Sequence, residues 1–136
     1  MFSLGLALTL VIPLASGKSA ASRSSAAPLT ARIVIVALRH SGLSIEHLQR
    51  QATYNSSPSG PPAAEDEAWG FTIGHVSHGD GRLLLFSTTR ARNLQAAWYR
   101  RVGARIVVYR NVILWMDRTL AATIVARCRR ALVGLR

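Results

Sequence analysis

The 136-residue sequence has a single cysteine, Cys128, which excludes an internal disulfide framework and any multi-cysteine metal site. Lysine is as scarce: of 17 cations, Lys18 alone is not arginine. Acidic residues number 6, and residues 82–136 hold only Asp117 against twelve arginines. That stretch alone accounts for the net charge of +11, because residues 1–81 sum to zero. Acid–base catalysis by two carboxylates needs them held in a structured cleft. Here Glu65, Asp66 and Glu67 fall in a loop, where a solvated charge run is expected. The sequence also lacks a G-x-S-x-G elbow, a P-loop and a dinucleotide fingerprint, so no nucleophile or phosphate-cradle motif is present.

Charge is also absent from Met1 to Gly17 (MFSLGLALTLVIPLASG). This apolar run ends in small residues and resembles an export signal, with cleavage expected before Lys18. It is shorter than the about 20 residues of a membrane-spanning helix. No cation precedes it, and Lys18 and Arg23 follow it. A start placed downstream of the true one would reconcile these facts. The alternative is an apolar N-terminal element of a cytosolic protein. A lipid anchor would need a cysteine where Lys18 stands, so none is expected. The organisation expected is therefore a signal-like segment at 1–17, a Ser/Ala-rich linker at 18–30 and one small domain at 31–136. The whole chain's 49% apolar content and nine aromatic residues are those of a chain that buries a core.

Within the domain, IVIVAL at 33–38 reads as helix or strand. Pro28 and Thr30 as start signals, with Arg39, His40 and Gly42 at the end, favour a helix. On the strand reading, Ser44 would cap a short helix over 45–52. Residues 53–67 contain three prolines and read as an exposed loop. Trp69–Val76 and Arg82–Ser87 form a hairpin about the turn SHGDG. Thr88 or Thr89 caps a helix to Val102, with Ala91, Leu94, Trp98 and Val102 as its buried stripe and Gly103 at its end. Residues 105–116 split at Arg110-Asn111 into two strands, with Asn111 suited to a positive φ. Asp117 or Thr119 starts a last helix whose inner face is Leu120, Ile124, Cys128, Leu132 and Leu135. The order α-β-β-α-β-β-α predicts an α+β fold, a four-stranded, mainly antiparallel sheet with helices packed on one face.

The segments ALRHSGL (37–43), RLLLFSTT (82–89), VVYRNVILWMD (107–117) and ALVGL (131–135) together resemble a group of small bacterial exported or lipoprotein-like proteins of uncharacterised function. The resemblance spans residues 31–136 and rests on hydrophobic and turn patterns. It implies an extracytoplasmic location and an α+β domain, and it carries no active-site residue.

Chemistry-bearing residues are few. His75 and His78, with Asp80, would need side chains that converge, and an i, i+3 pair on a strand points to opposite faces. No cofactor, metal or catalytic residue is therefore assigned, and an enzyme built on His75, His78 and Asp80 is the least favoured reading. Cys128 sits on an apolar stripe, where a thiol packs as a small hydrophobe. Arg90, Arg92, Arg100, Arg101, Arg127, Arg129 and Arg130 would form one basic surface if their helices lay side by side. Such a surface attracts anionic lipid, an envelope polymer or nucleic acid, with Tyr99 as the stacking residue. The function expected is a non-enzymatic binding or accessory module of the cell envelope, with a cytosolic nucleic-acid-binding protein as the alternative.

Overall fold

A computed structural model describes residues 27–53, 60–61 and 65–136. The signal-like segment 1–17, most of the linker and most of the 53–67 loop lie outside the described residues. Three helices and five strands follow in the order α1 (Ala31–His40), β1 (Ile45–Gln51), β2 (Glu67–Ile73), β3 (Asp80–Leu85), α2 (Thr89–Arg101), β4 (Arg105–Tyr109), β5 (Val112–Met116) and α3 (Ala122–Val133). The α+β class stands, but the sheet has five strands rather than four. They run antiparallel in the spatial order β1-β2-β3-β5-β4. The added strand is β1, IEHLQRQ, in which only Ile45 is buried. Its sequence has no apolar alternation, because an edge strand solvated on both sides needs none. A register shift between Glu46 and Gln49, with His47 at φ +50°, kinks this edge.

The expectation of helices on one face is also corrected. Leu83, Leu85, Val112 and Leu114 point to the core shared with α1 and α3. Their strand neighbours Leu84 and Ile113 point the other way, into a second core with Ala96 and Tyr99 of α2. Continuous apolar runs such as LLLF and VIL belong to strands covered on both faces. A sheet covered by helices on one face alone would have left Leu84 and Ile113 in water.

Local signals set the helix ends. Thr30 and Thr88 accept hydrogen bonds from the Ile33 and Ala91 N–H groups, capping α1 and α2. Both helices close in the same way. The Leu43 N–H donates to the Leu38 carbonyl and the Gly42 N–H to that of Arg39, and Ala104 and Gly103 repeat this with Tyr99 and Arg100. Gly42 and Gly103 stand at φ +92° and +77°, the left-handed position that this closure demands. α3 starts later than expected, and Ala121 gives it no side-chain cap. Asp117 instead accepts from the Thr119 N–H and hydroxyl, holding the turn that leads to Leu120.

The β4–β5 turn departs from its expected chemistry as well. Arg110, not Asn111, takes the positive φ, at +50°. Asn111 is committed elsewhere: its carbonyl accepts from the Leu29 N–H at 2.7 Å, and its amide donates to the Leu29 carbonyl at 2.9 Å. This pairing seats Leu29 in the core, beyond the domain boundary expected at residue 31. Asn111→Asp keeps the acceptor but sets a carboxylate against the Leu29 carbonyl. We expect it to cost about 1–2 kcal/mol in urea unfolding, as much as Asn111→Ala, if the two-way pairing is what holds Leu29.

Candidate functional site

Each side of the sheet carries some of the expected arginines. Arg90, Arg100 and Arg101 are exposed on α2, and Arg92 is tied to the Arg110 carbonyl. Arg127, Arg129 and Arg130 are exposed on α3, behind the sheet from α2. The seven therefore form two patches rather than one surface. α3 is instead joined by α1, which packs beside it and adds Arg32 and His40, while Arg39 turns toward β1 and donates to the Ile45 carbonyl at 3.1 Å. Neither α1 nor α3 contains an acidic residue. Between them lies a groove of about 690 Å³ whose walls include Ile33, Val36 and Leu135, with Arg32 and Arg130 at its rim. Ile33 is 44% exposed, Val36 42% and, on the outer side of α3, Val133 59%. This face is apolar and cationic at once.

On the opposite side, α2 is rotated by about one residue from its expected stripe. Gln95, Ala96 and Tyr99 are buried, while Leu94 and Val102 are exposed and Trp98 is half-buried. The buried Tyr99 packs edge-on against Trp98, with ring centroids 5.2 Å apart. A base cannot stack on it. The rotation brings Gln95 to Glu65, which is 3% exposed instead of belonging to a solvated run. The Gln95 amide donates to one Glu65 oxygen at 3.4 Å, and the Arg82 guanidinium lies 4.0 Å from the other. Arg82 Nε also donates to Gln51 Oε1 at 2.9 Å. Asp66 and Glu67 are engaged too, accepting from the Ser87 N–H and the Trp69 indole. Among the described residues, Gln95 Oε1 is buried without a hydrogen-bond partner. Sequence reading missed this relay because its members lie up to 44 residues apart. The one local clue is an amide at a core-facing position of α2.

Beside the relay, Trp98, Trp115, Pro61 and Val102 wall a cavity of about 610 Å³ that Arg82, Asp117 and Arg118 also line. Hydrogen bonds from the Thr119 hydroxyl and then from its backbone N–H hold the Asp117 carboxyl below its ordinary pKa. His75 and His78 are exposed at φ +63° and +58°. Among the described residues no three His, Cys, Asp or Glu side chains gather as a metal site would require. Cys128 is 1% exposed, and burial pushes its thiol up to about 11. Among the described residues no helix is long and apolar enough to cross a membrane. No protein-family model, curated protein or solved structure matches the chain.

Two outcomes follow from these environments. Cys128 should resist a thiol-specific disulfide reagent at pH 8 in the folded protein and react fully in denaturant. Fast labelling of the native chain would show that the thiol is not packed as described. Arg82→Leu leaves the Glu65 carboxylate buried without the guanidinium, at a cost of about 3 kcal/mol. Adding Glu65→Gln to Arg82→Leu should recover part of that loss in chemical denaturation, the sign of a coupled pair.

Proposed function

We propose that this chain is a non-catalytic, membrane-associated module of the cell envelope that lies against anionic lipid through the α1–α3 face. The observation that carries the reading is the composition of that face. Besides Arg39, α1 and α3 carry four arginines and His40 together with exposed Ile33, Val36 and Val133, and neither helix supplies a carboxylate. Arginine alone would suit any polyanion. Aliphatic side chains exposed among the arginines suit a surface with charge outside and hydrocarbon beneath, where each can be buried. The signal-like character of residues 1–17 and the resemblance to small bacterial exported proteins support the same location. Nucleic acid is disfavoured by the burial of Tyr99 and by the separation of the arginines into two patches.

Co-sedimentation of the purified protein with phosphatidylglycerol and phosphatidylcholine vesicles tests this. Binding is expected to the first alone and to weaken with salt. At about 1 kcal/mol per arginine near a charged membrane, changing Arg127, Arg129 and Arg130 together to glutamine should lower partitioning about a hundredfold. The same change at Arg90, Arg100 and Arg101 should have much less effect. Ile33→Ser with Val133→Ser should weaken vesicle binding and leave retention on a soluble polyanion unchanged. The lipid reading fails if both vesicle types are ignored, or if duplex DNA binds and the serine pair has no effect on either ligand. Recovery only in the cytoplasm with Met1 intact would reject export.

A further inference from the structure

The cover that α2 gives its side of the sheet is incomplete. Its buried contacts are with Ala68, Leu84 and Ile113, backed by Ile106 and Val108 of β4. Toward β1 and β2 the described residues leave two hollows on that side of the sheet, with the Gln51 side chain lying over Gly70. Strand register sets Trp115 opposite Arg82, Arg82 opposite Gly70 and Gly70 opposite Gln49, in one row across four strands. Thr72 lies opposite Asp80 beside that row. The aromatic cavity of about 610 Å³ and a polar hollow of about 270 Å³ share Arg82 and Trp115. Together they make one trough, aromatic at the α2 end and polar at the β1 end.

The charge of this trough sets it apart from the rest of the molecule. Its charged lining residues are Arg82, Arg118, Asp80 and Asp117, two of each sign. Arg82 is further offset by Glu65 behind it. Residues 82–136 carry twelve arginines and one acid, yet that acid, Asp117, lines the trough. An anion therefore finds no net local attraction here. What the trough offers is two half-buried indoles and an array of planar or hydroxylic polar groups. Gln49 supplies both a donor and an acceptor, Thr72 a hydroxyl, Asp80 acceptors and Arg82 donors. Arg82 is held by Gln51 and Glu65, so its donors are pre-oriented.

The matching ligand has an apolar face for an indole and many uncharged hydrogen-bonding groups around its edge. A pyranose ring has both: its axial C–H bonds form a weakly positive patch that fits the negative face of an indole, and its hydroxyls donate and accept. We propose that this trough binds a neutral oligosaccharide, with sugar rings on Trp98 and Trp115 and hydroxyls on Gln49, Thr72, Asp80 and Arg82. This site lies on the side of the sheet away from α1 and α3 and stands independently of the lipid reading.

Tryptophan fluorescence of the whole chain, titrated with cellotetraose, chitotetraose and a sulfated heparin tetrasaccharide, tests the proposal. At least one neutral tetramer should give a saturable shift, with affinity on the order of millimolar for so open a site. Trp115→Leu, confirmed as folded by circular dichroism, should weaken it at least tenfold. Should that variant not fold, Gln49→Ala on the exposed edge strand and Thr72→Arg should each weaken binding by at least threefold. The proposal is overturned by no saturable change with either neutral tetramer up to about 20 mM. It is equally overturned by unchanged affinity in both Gln49→Ala and Thr72→Arg, or by tighter binding of the sulfated tetramer.

Discussion

The pairing of β3 with β5 is the constraint from which the rest of this fold follows. Leu83, Leu84 and Leu85 face Leu114, Ile113 and Val112, and all six side chains are buried. Fully burying a side chain of this size contributes about 1.5–3 kcal/mol. Six of them outweigh any arrangement of surface arginines, whose ion pairs are worth about 1 kcal/mol or less each. Because neighbouring residues of a strand point to opposite faces, this pair exposes hydrocarbon on both sides unless both are covered. α1 and α3 cover one side and α2 the other. The basic surface is split in two for that reason. No charge term is large enough to bring α2 and α3 together.

A second constraint turns α2 on its axis. Its seat over Leu84 and Ile113 is apolar, but Glu65 is also buried there. A buried carboxylate is costly unless a cation and hydrogen bonds meet it. Arg82 and Gln95 both do so, and Gln95 can reach Glu65 only if it takes a core-facing position on α2. Leu94 and Val102 are left in water as a result. Gln95 Oε1 has no partner among the described residues, and an unmet acceptor there costs what a leucine at this position would not. Here the packing of an apolar helix yields to the satisfaction of one acid.

These two constraints also separate what was legible in the sequence from what was not. α1, the β2–β3 hairpin, α2, the β4–β5 hairpin and α3 are written in local signals: capping threonines, closing glycines, and apolar spacing of two or three to four. β1 is not, since IEHLQRQ becomes a strand only by hydrogen bonding to β2 and buries a single side chain. The inner face of α3 was legible through Cys128 and Leu132 because α3 packs as a plain amphipathic helix. That of α2 was not, since apolar spacing cannot anticipate a glutamine drawn inward by an acid thirty residues away. Two-sided burial was readable in principle from the unbroken LLLF run, which no strand with one wet face would carry. The trough is a product of register across four strands, and register is not a local property.

The placement of the arginines can be weighed against what the helices themselves require. A cation in the last turn of a helix is favoured by the backbone dipole, and one in the first turn is not. Arg39, Arg100, Arg101 and Arg130 fall in last turns, so part of the arginine excess is accounted for by helix stability. On α2 the remaining two are Arg90 and Arg92, and Arg92 is bound to the Arg110 carbonyl. On α1 and α3 the remainder is Arg32, Arg127 and Arg129. Arg32 sits in a first turn, against the dipole, and the other two are in mid-helix. All three are exposed. Arginines that the dipole does not favour thus stand on both patches: three on α1 and α3 with exposed Ile33, Val36 and Val133, and Arg90, also in a first turn, on α2 with exposed Leu94 and Val102. Solubility alone would be served as well by mixed charges, and it does not call for aliphatic side chains left in water among cations. The proposed contact with an apolar, anionic layer would use both.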